Sequence, residues 1–203
     1  EIFTLVIDPL SPATLYLGTH HGVVKSLDGG ESWKEANTGL THLEARALAI
    51  DPTTPMILYA GTFGGGVFKS TDGGENWKKI NIGLTNDEIN SLVIEPNAPT
   101  TLYAGTHGGG VFKSIDGERW RNFNTGLSDT YVFTLAIHPG SPTTLYAGTR
   151  SSHLFFSING GESWAELSAD LANTGITTLL TDPLSGITLY VGTRTNGLII
   201  IEY

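Results

Sequence analysis

Apolar residues along this chain come in short bursts, as in "ALAIDP", "ILYAGT", "GVFKS" and "WKKIN", and each burst is closed by Pro, Gly, Asn or Asp. Bursts of that kind, bounded by turn formers, predict β-strands. No stretch sustains a helical period. The set of runs also returns. From "IDP" at Ile7 the step to "IDP" at Ile50 is 43 residues, and "IEP", "IHP" and "TDP" follow at Ile94, Ile137 and Thr181 after steps of 44, 43 and 44. Tyrosines of "LYLGT", "LYAGT" and "LYVGT" keep the same beat at 16, 59, 103, 146 and 190. A period of this length signals a repeat architecture.

Four strands per unit joined by tight turns make an antiparallel meander, apolar on both faces of its inner strands and so in need of a neighbour on each side. Stacking around an axis supplies those neighbours. The chain therefore predicts an all-β, five-bladed β-propeller of four-stranded antiparallel blades, the last lacking its outer strand. It is read as a single domain, 1–203, with repeats at approximately 2–44, 45–88, 89–131, 132–175 and 176–203. The first run of each unit alternates small with large residues, as in Ala47 and Ala49 against Leu48 and Ile50, which suits the strand nearest the axis.

Between the third and fourth runs stands "SLDGGESW" at 26–33, then "STDGGENW" at 70–77, "SIDGERW" at 114–120 and "SINGGESW" at 157–164. Its residue types fit a self-satisfied turn: serine and aspartate for backbone groups, glycine for positive φ, tryptophan to cover the blade edge. The structural set is Ser26, Asp28, Gly30 and Trp33; Ser70, Asp72, Gly74 and Trp77; Ser114, Asp116 and Trp120; Ser157, Asn159, Gly161 and Trp164. This string resembles the Asp-box, or BNR, repeat of sialidases, Vps10/sortilin-type receptors, Ycf48-like photosystem II assembly factors and xyloglucanases. Asn159 replaces the aspartate in the fourth box, the third box is one residue short, and the fifth unit ends in "GLIIIEY" with no box. The resemblance implies the fold and a secreted or periplasmic setting; those families do unrelated things on it.

Composition narrows the partners. Eleven basic residues against 20 acidic ones leave a net charge of −9, which repels nucleic-acid phosphates and anionic lipid. No run is long and apolar enough for a membrane span, and the first residues lack the pattern of a signal peptide. With no cysteine, disulfides and thiolate metal sites are excluded. Each box offers one strong oxygen ligand, too few for calcium, so neither metal nor cofactor is expected.

Strand parity sends the 1–2 links and the boxes to one face and the 2–3 and 4–1 links to the other. The second face varies between copies, which marks it as free to specialise. The binding candidates there are Arg46, Arg150, Arg194, His20, His107, Phe63 and Tyr131. Three arginines near an axis could clamp a carboxylate, as in the sialidases that the repeat resembles, or stand as ordinary surface arginines. His20, His21, His107 and His153 lack the spacing that preorganises a zinc site. "HGGG" at 107–110 imitates a lipase oxyanion segment, but no Gly-x-Ser-x-Gly accompanies it. Glu44, Asp87, Glu88 and Asp129 are the acidic residues available for a glycosidase pair, without a flanking aromatic platform. Phe63, Tyr131 and Phe133 are the large aromatics left over from boxes and second strands, too few for a sugar-stacking cleft.

No catalytic residue is assigned. The expectation is a non-catalytic scaffold, extracellular or periplasmic, for a protein or glycan partner on the face of the 2–3 and 4–1 loops. The alternatives are a sialidase-like or xyloglucanase-like glycoside hydrolase, or a fragment of a larger propeller. The strand edge at 198–203 is expected either to close by self-association or strand addition, or to end as a three-stranded blade.

Overall fold

The computed structural model describes residues 1–167, 171, 175–184 and 188–202. Five antiparallel meanders follow one another. The first is β1 (Ile2–Ile7), β2 (Leu15–Thr19), β3 (Gly22–Ser26) and β4 (Lys34–Glu35); the second is β5 (Ala45–Ile50), β6 (Leu58–Thr62), β7 (Gly66–Ser70) and β8 (Lys78–Lys79). The third is β9 (Ile89–Ile94), β10 (Leu102–Thr106), β11 (Gly110–Ser114) and β12 (Arg121–Asn122). The fourth is β13 (Val132–Ile137), β14 (Leu145–Thr149), β15 (Leu154–Ser157) and β16 (Ala165–Glu166). The fifth has β17 (Ile176–Thr181), β18 (Thr188–Thr193) and β19 (Leu198–Glu202), with no fourth strand among the described residues. The arrangement is the expected five-bladed β-propeller with a three-stranded last blade. Tyr203, the final residue of the strand edge expected at 198–203, lies outside the described residues.

First strands stand innermost, each packed beside the first strand of the next blade at four successive junctions. The core is correspondingly four clusters, one per junction. One face of a blade packs forward and the other backward: Ala47, Ala49 and Tyr59 meet Leu92, Leu102 and Phe112 of the third blade, while Leu48, Leu58 and Phe68 meet Val6 and Tyr16 of the first. The Gly-Thr step that ends each second strand has its reason here. A Cβ on Gly61 would run into the side chain of Ile89, and one on Gly105 into Val132, so only glycine lets a second strand approach the inner strand of the next blade this closely.

The box is a staple, and a double one. Within the turn, the Ser70 hydroxyl donates to the Asp72 carboxylate at 2.8 Å and accepts from the Gly74 N–H at 2.9 Å, while Asp72 accepts the Asn76 N–H at 2.9 Å. Asn159 keeps the same geometry through its side-chain carbonyl, which accepts from the Ser157 hydroxyl at 2.8 Å and the Ser163 N–H at 3.0 Å. Between blades, the indole N–H of Trp77 donates to the Ala36 carbonyl at 2.8 Å, that of Trp120 to Ile80 at 2.7 Å, and that of Trp164 to Phe123 at 2.8 Å. Each acceptor directly follows the fourth strand of the preceding blade. The Tyr16 hydroxyl and the Lys25 ammonium return the connection by donating to the Gly73 carbonyl in the next box at 3.0 and 2.9 Å. Burial first, and then the carboxylates of Asp8 and Glu75, push the Tyr16 phenol up to about 12.

A second staple lies in "ANTGL", "NIGL" and "NTGL". The side-chain carbonyls of Asn37, Asn81 and Asn124 accept the N–H of Val23, Val67 and Val111 at 2.7, 2.8 and 2.7 Å, tying the end of each of the first three blades to its own 2–3 hairpin.

Trp33 shows what the clamp needs. Its indole N–H makes no inter-blade bond but turns back to the Gly30 carbonyl at 3.1 Å, and it is 37% exposed against 5%, 2% and 5% for Trp77, Trp120 and Trp164. On the same flank Leu5 is 53% exposed, whereas Leu48 in its place on the second blade is 5% exposed.

Replacing Trp120 by Phe strands the buried Ile80 carbonyl and should lower unfolding free energy by about 1–3 kcal/mol. Trp33→Phe should change it by no more than about 0.5 kcal/mol. Urea unfolding of the two variants makes the comparison, and equal losses would contradict an inter-blade clamp. Acid offers a second check. The Asn76 side chain and N–H hold the Asp72 carboxyl down at about 2, and the N–H groups of Arg119 and Glu118 do the same for Asp116. Both lie below the ordinary carboxylate value of about 3.9, so their contribution is complete above about pH 4 and disappears as pH falls toward about 2. Melting temperatures should drop across that window, and Asp72→Asn, copying the fourth box, should flatten the drop.

Candidate functional site

All five blades line one cavity of about 660 Å³ on the face of the 2–3 and 4–1 loops, and each contributes side chains at three equivalent levels. The rim is the first residue after the second strand: His20, Phe63, His107, Arg150 and Arg194. Below it are Phe3, Arg46, Asn90, Phe133 and Thr177, and below those Thr4, Ala47, Ser91, Thr134 and Thr178.

A β-bulge creates the middle level. In every inner strand the register skips one residue, between Ile2 and Thr4, Ala45 and Ala47, Ile89 and Ser91, Val132 and Thr134, and Ile176 and Thr178. The skipped residues are the five of the middle level. Bulges re-aim a side chain that strict alternation would place elsewhere, and here they turn one residue per blade into the cavity.

The rim is held by backbone. The N–H of Phe63, His107, Arg150 and Arg194 donates to the carbonyl of Glu44, Glu88, Tyr131 and Gly175, at 2.9, 2.9, 3.0 and 2.9 Å. Rim side chains are therefore positioned whatever their identity. The lowest level joins blades: the Ser91 hydroxyl accepts from the Leu135 N–H at 3.1 Å, and that of Thr134 from Leu179 at 3.2 Å.

The three arginines share the cavity but not a role. Arg46 contacts Glu44 at 2.6 Å, donates to Asn90 at 3.0 Å and stacks 3.7 Å from the Phe63 ring centroid, so its charge is already matched. Arg150 and Arg194 are exposed, have no side-chain partner among the described residues, and flank a side pocket of about 360 Å³ with Phe133, Ser151 and Ser152. Ser152 holds φ at +72°, in the left-handed region, and its hydroxyl accepts the Gly175 N–H at 2.9 Å. Phe63, His107 and Tyr131 form an edge-to-face series with centroids 5.6 and 4.9 Å apart. Tyr131 stands outside the cavity lining. The aromatic inventory made from sequence missed Phe3, which with Phe63 and Phe133 gives the cavity three rings. Nothing but its bulge distinguishes Phe3 from an ordinary strand residue.

The acidic candidates do not converge. Glu44 is bound to Arg46, and Asp87, Glu88 and Asp129 lie outside the lining. Burial raises the Asp129 carboxyl, but hydrogen bonds from the Tyr131 N–H, Thr149 and Ser151 outweigh it and hold it below its ordinary value. Glu1 is the carboxylate in the lining, 3.2 Å from His20. His153 contacts Glu166 at 2.7 Å. Among the described residues no three of His, Asp or Glu come together as metal ligands, and no helix is long and apolar enough to cross a membrane.

The BNR/Asp-box repeat family profile matches residues 68–79. No curated protein is similar in sequence. Among solved structures, an ancestral GH74 enzyme is 22% identical with a TM-score of 0.78, over 98% of this chain and 29% of that one. The GH74 xyloglucanase from Xanthomonas campestris is 19% identical with a TM-score of 0.73, over 97% of this chain and 36% of its own. YCF48 bound to D1 peptide is 16% identical with a TM-score of 0.70, over 94% of this chain and 61% of its own. The chain thus spans less than two thirds of each of these proteins. The chain is thus a five-bladed β-propeller with a match to the BNR/Asp-box repeat in its second blade.

Proposed function

We propose that the chain is a non-catalytic interaction scaffold that takes a protein or glycan partner at the cavity on the face of the 2–3 and 4–1 loops. One observation carries this reading. The structural parts of the repeat stay nearly constant from blade to blade, while the rim position changes from His, Phe and His on the first three blades to Arg on the last two. The cavity is thereby aromatic on one side and cationic on the other. Arg150 and Arg194, which lack side-chain partners among the described residues, supply counter-charge to an acidic group of the partner. A retaining or inverting glycosidase needs two carboxylates facing each other across roughly 5 to 9.5 Å, and Glu1 has no such companion among the lining residues. The likeness to YCF48 bound to D1 peptide favours a protein partner, and the likeness to a xyloglucanase keeps a glycan in view. An extracellular or periplasmic setting rests on the resemblance of the repeats alone. The outer edge of β19 is a second place where another chain, including another copy, can add a strand.

The test uses N-acetyl-Glu-Gly-Glu-amide and cellotetraose as probes, with NMR shifts of the rim residues as readout. Saturable shifts are expected for at least one probe, and Arg150→Ala with Arg194→Ala should weaken the acidic peptide about tenfold. Shifts from neither probe would overturn the cavity as a binding site. Release of new reducing ends from xyloglucan would overturn the non-catalytic reading.

A second reading, a fragment of a larger propeller, is favoured by the uncovered flanks. Leu5, Ile7 and Trp33 on the first blade, and Leu180 and Ile200 on the last, are exposed where their counterparts elsewhere are covered by an adjoining blade. Codons adjoining this sequence in its gene should then encode further 43- to 44-residue units. Unrelated sequence on both sides would rule this reading out.

A further inference from the structure

The box face, regular in sequence, has one irregular place. Of the three junctions that carry a box tryptophan, two have its backbone N–H donating to a threonine carbonyl, Thr38 or Thr125, at 2.8 Å. At the junction of the second and third blades the acceptor is Ile82, also at 2.8 Å, with a side chain 63% exposed. The box of the third blade is the short one. Its Asp116 accepts from the Glu118 and Arg119 N–H groups at 2.9 and 2.7 Å, an arrangement that the other boxes do not share.

These two departures meet at a pocket of about 430 Å³. Its apolar walls are Ile82, Ile115, Trp120 and Phe123. Ile115 is exposed much as Leu27 and Ile158 are in the sister boxes, whereas Ile82 takes the place of a threonine. Three cations surround these walls against one carboxylate, Asp116. Lys113 is pinned, donating to the Gly160 carbonyl at 2.9 Å and lying 5.4 Å from the Phe123 ring centroid. Arg119 pairs with Asp116 at 3.2 Å on the open surface, where such a pair contributes little and exchanges readily. Arg121 has no side-chain partner among the described residues. In a chain with only 11 basic residues and a net charge of −9, this is a local reversal of field beside exposed apolar surface.

We propose that this pocket is a second docking site, for a protein segment that seats one aliphatic side chain between Ile82 and Ile115 and sets flanking carboxylates against Arg119 and Arg121. Apolar burial holds the side chain and charge complementarity selects an acidic neighbourhood around it. The pocket lies across the molecule from the cavity, so the two sites can be occupied together.

N-acetyl-Asp-Leu-Glu-amide and its charge-reversed counterpart N-acetyl-Lys-Leu-Lys-amide test the proposal on the intact chain, read by NMR at the Ile82 and Ile115 methyls and the Trp120 indole N–H. The acidic peptide should give saturable shifts at these positions, with a Kd on the order of 1 mM, and these shifts should persist in the Arg150→Ala, Arg194→Ala variant, in which the cavity has lost its unpaired cations. Ile82→Thr, which restores the residue of the sister junctions and so keeps the fold, should weaken binding about fivefold, as should Arg121→Glu. Equal binding of the lysine peptide, indifference to Ile82→Thr, or the absence of a saturable shift at about 10 mM peptide would each overturn the site. Shifts confined to the cavity would overturn it too, while leaving the cavity reading intact.

Discussion

A blade of this protein carries apolar residues on both faces of its middle strands, so its own four strands cannot keep water from either. That deficit is met at the junctions, and the indole of the box tryptophan does the most specific part of the work. It closes apolar surface and also satisfies the first free carbonyl after the preceding blade's fourth strand, a buried acceptor that would otherwise cost free energy. On the first blade, where no carbonyl of another blade accepts its N–H, the same side chain is exposed and folds back on its own turn. The clamp therefore belongs to the junction rather than to the blade.

The fold was legible because its signals repeat. Boxes, Leu-Tyr-x-Gly-Thr steps and turn formers recur with the period of the blade, and each has a local cause. Less legible was the side chain that a bulge re-aims. Phe3, Asn90 and Thr177 look like ordinary strand residues under a period of two, and only the register skip turns them inward. The Asn37, Asn81 and Asn124 staple was present in the sequence as a repeated Asn before Gly-Leu, but its bond spans 13 or 14 residues and no local turn chemistry points to it. Sequence likewise treated Arg46, Arg150 and Arg194 alike, since nothing in their residue type tells that Glu44, Asn90 and Phe63 occupy the first and leave the other two without side-chain partners among the described residues.

Repetition also explains how one surface can specialise without unsettling the rest. At the rim the backbone is fixed by hydrogen bonds between the 2–3 loop and the segment ahead of the same blade's inner strand, and these bonds are indifferent to the side chain. A histidine, a phenylalanine and an arginine can succeed one another there at little cost to the junctions. At the box the opposite holds, because serine, aspartate or asparagine, glycine and tryptophan are each used by a specific bond. The short third box is informative for that reason: a position under such constraint has lost a residue, its neighbour has exchanged threonine for isoleucine, and the surface between them has become apolar and cationic. Asn159 shows which change a box absorbs without altering its bonds, whereas the two adjacent departures around the third box leave a pocket that the turn itself does not require.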